Sequence, residues 1–501
     1  MTDAARQPIE RVVIVGGGTA GWMAAAAAAR FLNDGRRTIT LVESDAIGTV
    51  GVGEATIPPI VNFNRLIGID EAAFLRATGG TYKLGIEFVG WGREDARYFH
   101  PFGTYGHDIA GLAFHQLWLK LRHRDGIGPI EDYSMSAVAA REARFSLPSA
   151  DPRDPSSALA YAYQFDAGRY AAFLRARAEA GGIVRVEGRI ATVEHEPETG
   201  HVAAVLLDDG RRIEGELFID CSGFRSLLLG EAMGVPFEDW SHWLPCDRAM
   251  AVPTERSAPL LPYTRATARD AGWQWRIPLQ HRTGNGLVYS SAHMSDAEAE
   301  RVLMANLDTP ATAEPRPLSF RAGRRARSWE GNVVALGLAG GFLEPLESTS
   351  IHLIQTGISK LFALFPDRRF AAIERDTYNR LMSDAYLGVR DFIILHYHAA
   401  GRRDTPFWRY VTEMPIPDSL AAKIALFREK GRIFRYDDEL FAIPNWVAVM
   451  LGQNIVPDGY DPVVDALEEE RVATALKQIR RAVGAAANGM PPHSAALGAT
   501  T

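Results

Sequence analysis

Read for hydrophobic and polar positions, the chain opens on RVVIV (11–15), a β-branched apolar run of strand length. GGGTAG follows without a spacer, and then an alanine-rich stretch containing MAAAAAAR (23–30). That stretch is too short to span a bilayer, and its alanines suit a helix packed tightly on a sheet. TITLVES predicts a second strand ending at Glu43. LFIDCSGFRS (217–226) predicts a third strand, closed by glycine. NVVALGLAGGFLEPLEST (332–349) predicts a buried strand, a glycine-rich turn and a helix.

A period of two appears in two other places. In WQWRIP (273–278), Trp273 and Trp275 share one face of a strand. A buried tryptophan contributes about 3 kcal/mol, and its indole N–H requires a partner. The pair is therefore a wall of the core or of a pocket. In TYKLGIEF (81–88) the alternation predicts one strand with Lys83, Gly85 and Glu87 on one face. Together these elements predict an α/β fold: a Rossmann-like (GxGxxG) core with an added, mostly antiparallel β-sheet layer over residues 1–385, and a mainly helical lobe over 386–483. The Ala-, Gly- and Pro-rich stretch 484–501 is expected to be a disordered tail. No Pro/Ser/Gly run separates the lobes, so they are expected to share an interface.

Composition narrows the function. The 501 residues are 47% apolar and 23% charged, ordinary for a globular protein, and the net charge of −7 gives no global basic field for nucleic acid or an anionic membrane. Two cysteines, Cys221 and Cys246, make neither a disulfide framework nor a metal cluster. With no signal peptide, a cytoplasmic location is expected.

The first turn carries chemistry. Gly16 suits the tight turn, Gly18 allows a pyrophosphate to approach the backbone, and Gly21 allows close packing of helix and strand. Thr19 and Ala20 complete the turn, and the helix start offers unpaired N–H groups to phosphate. Glu43, 22 residues beyond Gly21, can accept both hydroxyl protons of an adenosine ribose. This order of elements predicts a dinucleotide site. The second glycine turn, some 300 residues downstream, favours FAD over a free nicotinamide cofactor.

Five stretches, GGGTAGW (16–22), GVGEATIPPI (51–60), TYKLGIEFVGW (81–91), WQWRIP and FLEPLEST (342–349), resemble the FAD-dependent halogenases typified by the tryptophan halogenases. The resemblance runs through roughly residue 455. It implies that a separate flavin reductase supplies FADH2, which with O2 and chloride or bromide yields hypohalous acid. That oxidant travels through a tunnel to a lysine beside an electron-rich arene. Lys83 occupies the lysine's position; either its ammonium hydrogen-bonds the oxidant or its neutral amine forms a haloamine, and the second requires a pKa lowered by burial. Glu347 is implied as the carboxylate that stabilises the arenium cation and helps remove its proton; read without the family, it caps a helix with Ser348 and Thr349. Backbone groups of Thr349 and Ser350 are implied to hold the halide, with Ser350 replacing a glycine common there. Ala55 and Leu338 join the glycine turn as FAD contacts. Trp273, Trp275, Ile277, Pro278 and Ser348 are implied as walls of the flavin site or tunnel.

His100, His107 and His115 lie in an aromatic-rich stretch that could face substrate, without the spacing of a metal site. His396 and His398 read as packing of the C-terminal lobe. Family members acting on free tryptophan carry a tyrosine pair for the amino-acid head group, and 434–454 contains none. An unpaired buried polar group costs about 1–3 kcal/mol, so indole, an indole derivative or a larger arene fits better than free tryptophan. A flavin monooxygenase, a nicotinamide dehydrogenase and a non-catalytic flavin-binding protein remain as alternatives. The expected partners are the reductase and a small aromatic substrate, not nucleic acid or membrane; a homodimer is left open.

Overall fold

The apolar runs closed by glycine become neighbours in one sheet. In the computed structural model, which describes residues 7–46, 53–92, 96–436 and 438–500, the six strands run in the order Trp329–Glu330, Val333–Ala335, Leu217–Asp220, Arg11–Val15, Thr38–Glu43, Val184–Glu187. All neighbours are parallel except the first pair. A parallel sheet is covered on both faces, which is why its strands read as continuous apolar runs. Helix Thr19–Phe31 buries every residue from Gly21 to Ala28 against its neighbours.

The added layer is a seven-stranded sheet in the order Arg316–Ser319, Arg248–Thr254, Thr283–Tyr289, Gly272–Pro278, Thr264–Arg269, Gly85–Val89, Arg97–Pro101. It is antiparallel except between Thr264–Arg269 and Gly85–Val89. WQWRIP is therefore a central strand, as its alternation predicts.

TYKLGIEF departs from expectation. It is two strands, Thr81–Lys83 and Gly85–Val89, in different sheets. Leu84 between them donates to Pro262 O (2.7 Å) and accepts from Phe102 N (2.9 Å), so its backbone leaves the Thr81–Lys83 ladder. Thr81–Lys83 pairs with Ala162–Asp166 in a three-stranded sheet that also holds Gly53–Ala55. Lys83 is fully buried, whereas Glu87 lies on the outer side with Arg97. They do not share the face of one strand.

The boundary expected at 385/386 falls inside one helix, Ala372–His398. A single hydrophobic cluster runs from Ile9 to Leu497 and joins core and C-terminal lobe. The expected tail is also corrected. Helix Glu469–Gly489 passes through 484–489, and His493–Thr500 forms a further helix. Val483, Ala487, Met490 and Leu497 are buried, so an alanine-rich composition that reads as fraying here supplies small packed positions. His493 is fully buried: it accepts from Tyr82 N (3.2 Å), and its Nδ1–H donates to Leu260 O (3.0 Å). Among the described residues no helix is long and apolar enough to cross a membrane.

Candidate active site

The glycine turn has the shape a pyrophosphate needs. Gly16 has φ +108°, and a Cβ there would stand 2.3 Å from Cys221 O. A Cβ on Gly21 would stand 1.8 Å from Gly16 O, so both positions exclude a side chain for packing reasons alone. Gly18 differs: nothing lies within 4 Å of its would-be Cβ. It is the N-cap of the helix that begins with Thr19 and Ala20, with no side chain capping it. Free backbone donors thus face open space, which fits a phosphate. The second glycine turn converges here, since a Cβ on Gly337 would lie 2.9 Å from Ala20 Cβ; Leu338 is the next residue of that turn. Glu43 lies against the turn, with its carboxylate beside Gly17. Its Oε1 already accepts from Arg185 Nε (2.6 Å), a partner the sequence did not reveal. Gly51 and Val52 of GVGEATIPPI lie outside the described residues.

Lys83 and Glu347 meet through Ser348. Lys83 Nζ donates to Ser348 Oγ (2.8 Å) and sits 5.3 Å from the centre of the Phe102 ring. Burial lowers its pKa to about 7, against an opposing pull from the Glu347 carboxylate. Ser348 has φ +59°, a left-handed turn between Pro345–Glu347 and helix Ser350–Ala363. Thr349 caps that helix without a side-chain hydrogen bond, and its buried hydroxyl has no partner. Open N–H groups and an orphaned hydroxyl together fit a small anion at Thr349 and Ser350.

Glu347 is buried between two imidazoles. His100 Nδ1 lies 3.0 Å from its carboxylate. Asn445 fixes that ring: its Oδ1 accepts from Ala442 N (2.8 Å), so its Nδ2 faces His100 Nε2 (2.9 Å). His100 Nε2 is then the acceptor, and Nδ1–H donates to Glu347. His396 Nδ1–H donates to Phe392 O (2.8 Å), and its Nε2 stands 2.7 Å from Glu347 Oε1, off the line of a straight hydrogen bond. Burial pushes Glu347 up, but the two imidazoles outweigh it and hold its carboxyl at about 2.

The walls are aromatic. The Trp273 and Trp275 rings are 6.2 Å apart; Trp275 packs with Ala55, Ile277 and Leu279, next to Pro278. Trp275 also covers Gly286, where a Cβ would lie 2.0 Å from the ring. Trp273 Nε1 (3.4 Å) and Tyr397 OH (2.9 Å) donate to Glu344, whose carboxyl burial pushes up to about 7. From the C-terminal lobe, Phe441 stacks on Phe392 at 3.7 Å, and Trp446 meets Phe392 edge-on. His100, read from sequence as one of three equivalent candidates, is the one at Glu347. His107 is exposed, and His115 bonds to Gly431 O (2.9 Å) in the C-terminal lobe. His396, read as packing, is a partner of Glu347; Asn445 and Glu344 carried no sequence signal.

The tryptophan halogenase family model matches residues 11–469. The tryptophan 6-halogenase SttH of Streptomyces toxytricini is 35% identical, over 94% of this chain and 95% of its own. Among solved structures, a flavin-dependent halogenase from Xanthomonas campestris is 49% identical with a TM-score of 0.95, covering 99% of both chains. BrvH, a flavin-dependent halogenase from Brevundimonas sp. BAL3, is 48% identical with a TM-score of 0.94, over 98% of this chain and 99% of its own.

Proposed function

The chain belongs to the tryptophan halogenase family, and on that premise we propose that it uses FADH2, O2 and chloride or bromide to halogenate an indole or indole derivative at the pocket between Lys83 and Glu347. Bound flavin, reduced by a separate reductase, supplies hypohalous acid from O2 and halide. Gly16, Gly18, Thr19, Ala20, Gly21 and Glu43 hold the dinucleotide, with Ala55 and Leu338 beside it. Thr349 and Ser350 hold the halide. Trp273, Trp275, Ile277, Pro278 and Ser348 keep the arene away from the flavin, so that oxygen is not inserted directly.

Lys83 Nζ positions the oxidant, and positioning of this kind contributes several kcal/mol. Attack by the ring on the halogen breaks the oxygen–halogen bond of hypohalous acid, releases hydroxide that leaves as water once the ring proton is delivered, and puts positive charge on carbon, next to a carboxylate held anionic in a dry site. Glu347 takes the ring proton at a carboxylate oxygen, and His396 Nε2 is placed to share it. The observation that carries the reading is the buried Lys83–Ser348 contact directly beside Glu347.

The test is mass spectrometry of products from indole with FAD, a flavin reductase, NADH and either halide. The expected product is monohaloindole from the native chain and none from Lys83→Ala. Hydroxyindole formed without a halide requirement would establish a monooxygenase instead. We place the reaction in the cytoplasm; a homodimer is compatible with the reading and is not required by it.

A further inference from the structure

The sheet that presents the tryptophan pair inward carries a cluster of arginines on its other face. Along Thr264–Arg269, Ala266 and Ala268 stand opposite Trp275 and Trp273, while Arg265, Thr267 and Arg269 occupy the alternate positions. Arg265 is directly opposite Arg276. Like charges directly opposed across a strand pair are destabilising. A fold with no use for the pair would not be expected to place it in the middle of its largest sheet.

Few anions offset these cations. Arg265 (2.9 Å) and Arg276 both pair with the single carboxylate of Asp308. Arg269 donates through Nε (3.0 Å) and NH2 (2.7 Å) to the neutral amide oxygen of Gln274. Arg97, on the edge strand, pairs with Glu87 at 3.2 Å. Counted by ion pairs among these described residues, four guanidinium groups share two carboxylates, and Asp270 acts on Arg269 from the exposed end of the strand without pairing with it. Arg265 and Arg276 side chains are only 24% and 12% exposed, so water screens their repulsion poorly. Burial, and then the neighbouring charge of Arg265, holds both Arg269 and Arg276 below the ordinary arginine range. The cluster opens on a cleft of about 360 Å3, lined by Arg97, Arg265, Thr267, Arg269 and the Ala305–Asp308 turn. That is the size of a small-ligand site.

We propose that this cleft binds a phosphate dianion, either free or as the terminal group of a mononucleotide. A dianion balances the excess of two positive charges, and guanidinium forks match phosphate oxygens in pairs. The site is separate from the glycine turn, and its occupancy is independent of the reaction assigned to Lys83.

The experiment uses the full chain saturated with FAD, so that the glycine turn is filled. Calorimetry and thermal melts are run with inorganic phosphate, adenosine monophosphate and adenosine, against sodium chloride at equal ionic strength. The expected result is saturable phosphate binding with a rise in Tm that chloride does not produce. Tighter binding of the nucleotide than of phosphate, with adenosine inert, identifies a mononucleotide as the source; equal binding identifies the free ion. Arg265→Gln is expected to weaken phosphate at least about tenfold while raising the melting temperature of the phosphate-free protein, because the opposed pair is gone. Arg269→Gln, whose side chain hydrogen-bonds the neutral Gln274, gives the same loss of binding where Arg265→Gln fails to fold. An equal response to phosphate and chloride overturns the proposal, as does phosphate binding that survives both substitutions. Binding of an acidic peptide without binding of phosphate also overturns it, in favour of a protein-docking surface.

Discussion

Lys83 has a serine hydroxyl for a hydrogen-bond partner and an aromatic ring for a neighbour, a poor environment for an ammonium. Between pH 7 and 10.5 the folded chain leaves it neutral while the unfolded chain protonates it, so stability falls as pH falls through that window. Below about 7 both states are protonated and the penalty is complete. Lys83→Met is therefore expected to abolish halogenation yet raise Tm, with a larger gain at pH 7 than at about pH 9.5; melts of the two proteins at both pH values measure it. Glu347 has the opposite sense. Its folded-state pKa is depressed, so the stability it contributes is present above the ordinary value of 4.5 and is lost as pH falls through about 2. Glu347→Gln keeps the shape and a hydrogen-bonding oxygen but cannot take a proton. It is expected to lower kcat by at least about a hundredfold with FAD affinity unchanged, read by steady-state rates and flavin titration.

At the scale of elements, the glycine turn contains two kinds of glycine that one motif does not distinguish. Gly21 is filled in by Gly16 O at 1.8 Å, whereas Gly18 faces open space. Gly21→Ala is expected to impair folding itself, while Gly18→Val folds and loses flavin affinity; circular dichroism and FAD titration separate the two, and equal FAD affinity in Gly18→Val would place the nucleotide elsewhere. The order of strand, turn, helix and acid was legible because each step is local: a run of β-branched residues, a turn only glycine can make, a helix of alanines. WQWRIP was legible for the same reason. The break at Leu84 was not, because it depends on backbone bonds to Pro262 and Phe102 that no alternation records. His100 and His396 were undervalued because they reach Glu347 from 247 and 49 residues away, on a strand and a helix whose own patterns concern packing. The helix at 493–500 was missed because its docking is long-range: His493 bonds Tyr82 and Leu260, its N–H bonds Ala143 O, and Leu497 is buried, none of which an alanine-rich local pattern records.

At the scale of the whole molecule, the proposed substrate site lies where residues of the C-terminal lobe pack on the sheet core around Glu347, and on that proposal the lobe sets what the site accepts. Its contributions near Glu347 are Phe392, Phe441, Trp446 and the amide of Asn445, and that amide is already engaged by His100 and Ala442. The cation Lys423 is paired with Glu439 at 2.8 Å and lies 4.4 Å from the Trp446 ring, so this pair answers its own charge. Phe434 and Tyr436, on the loop before these residues, are exposed. Such walls suit a flat apolar ring; a zwitterionic amino-acid head would need a carboxylate and a cation not already committed to each other. Indole also offers an open C3, its most nucleophilic carbon, which tryptophan has blocked. The enzyme is accordingly expected to halogenate indole with a kcat/KM at least equal to that for tryptophan, and with looser regiochemistry on the larger substrate, because an unanchored ring samples several poses beside Lys83. Competition at equal concentrations, with products resolved by mass spectrometry and NMR, measures both quantities. Halogenation of tryptophan at one benzo-ring carbon, faster than indole, would mean that the lobe supplies head-group partners when substrate binds, and that the pocket closes further than the packing of Phe392 on Phe441 shows.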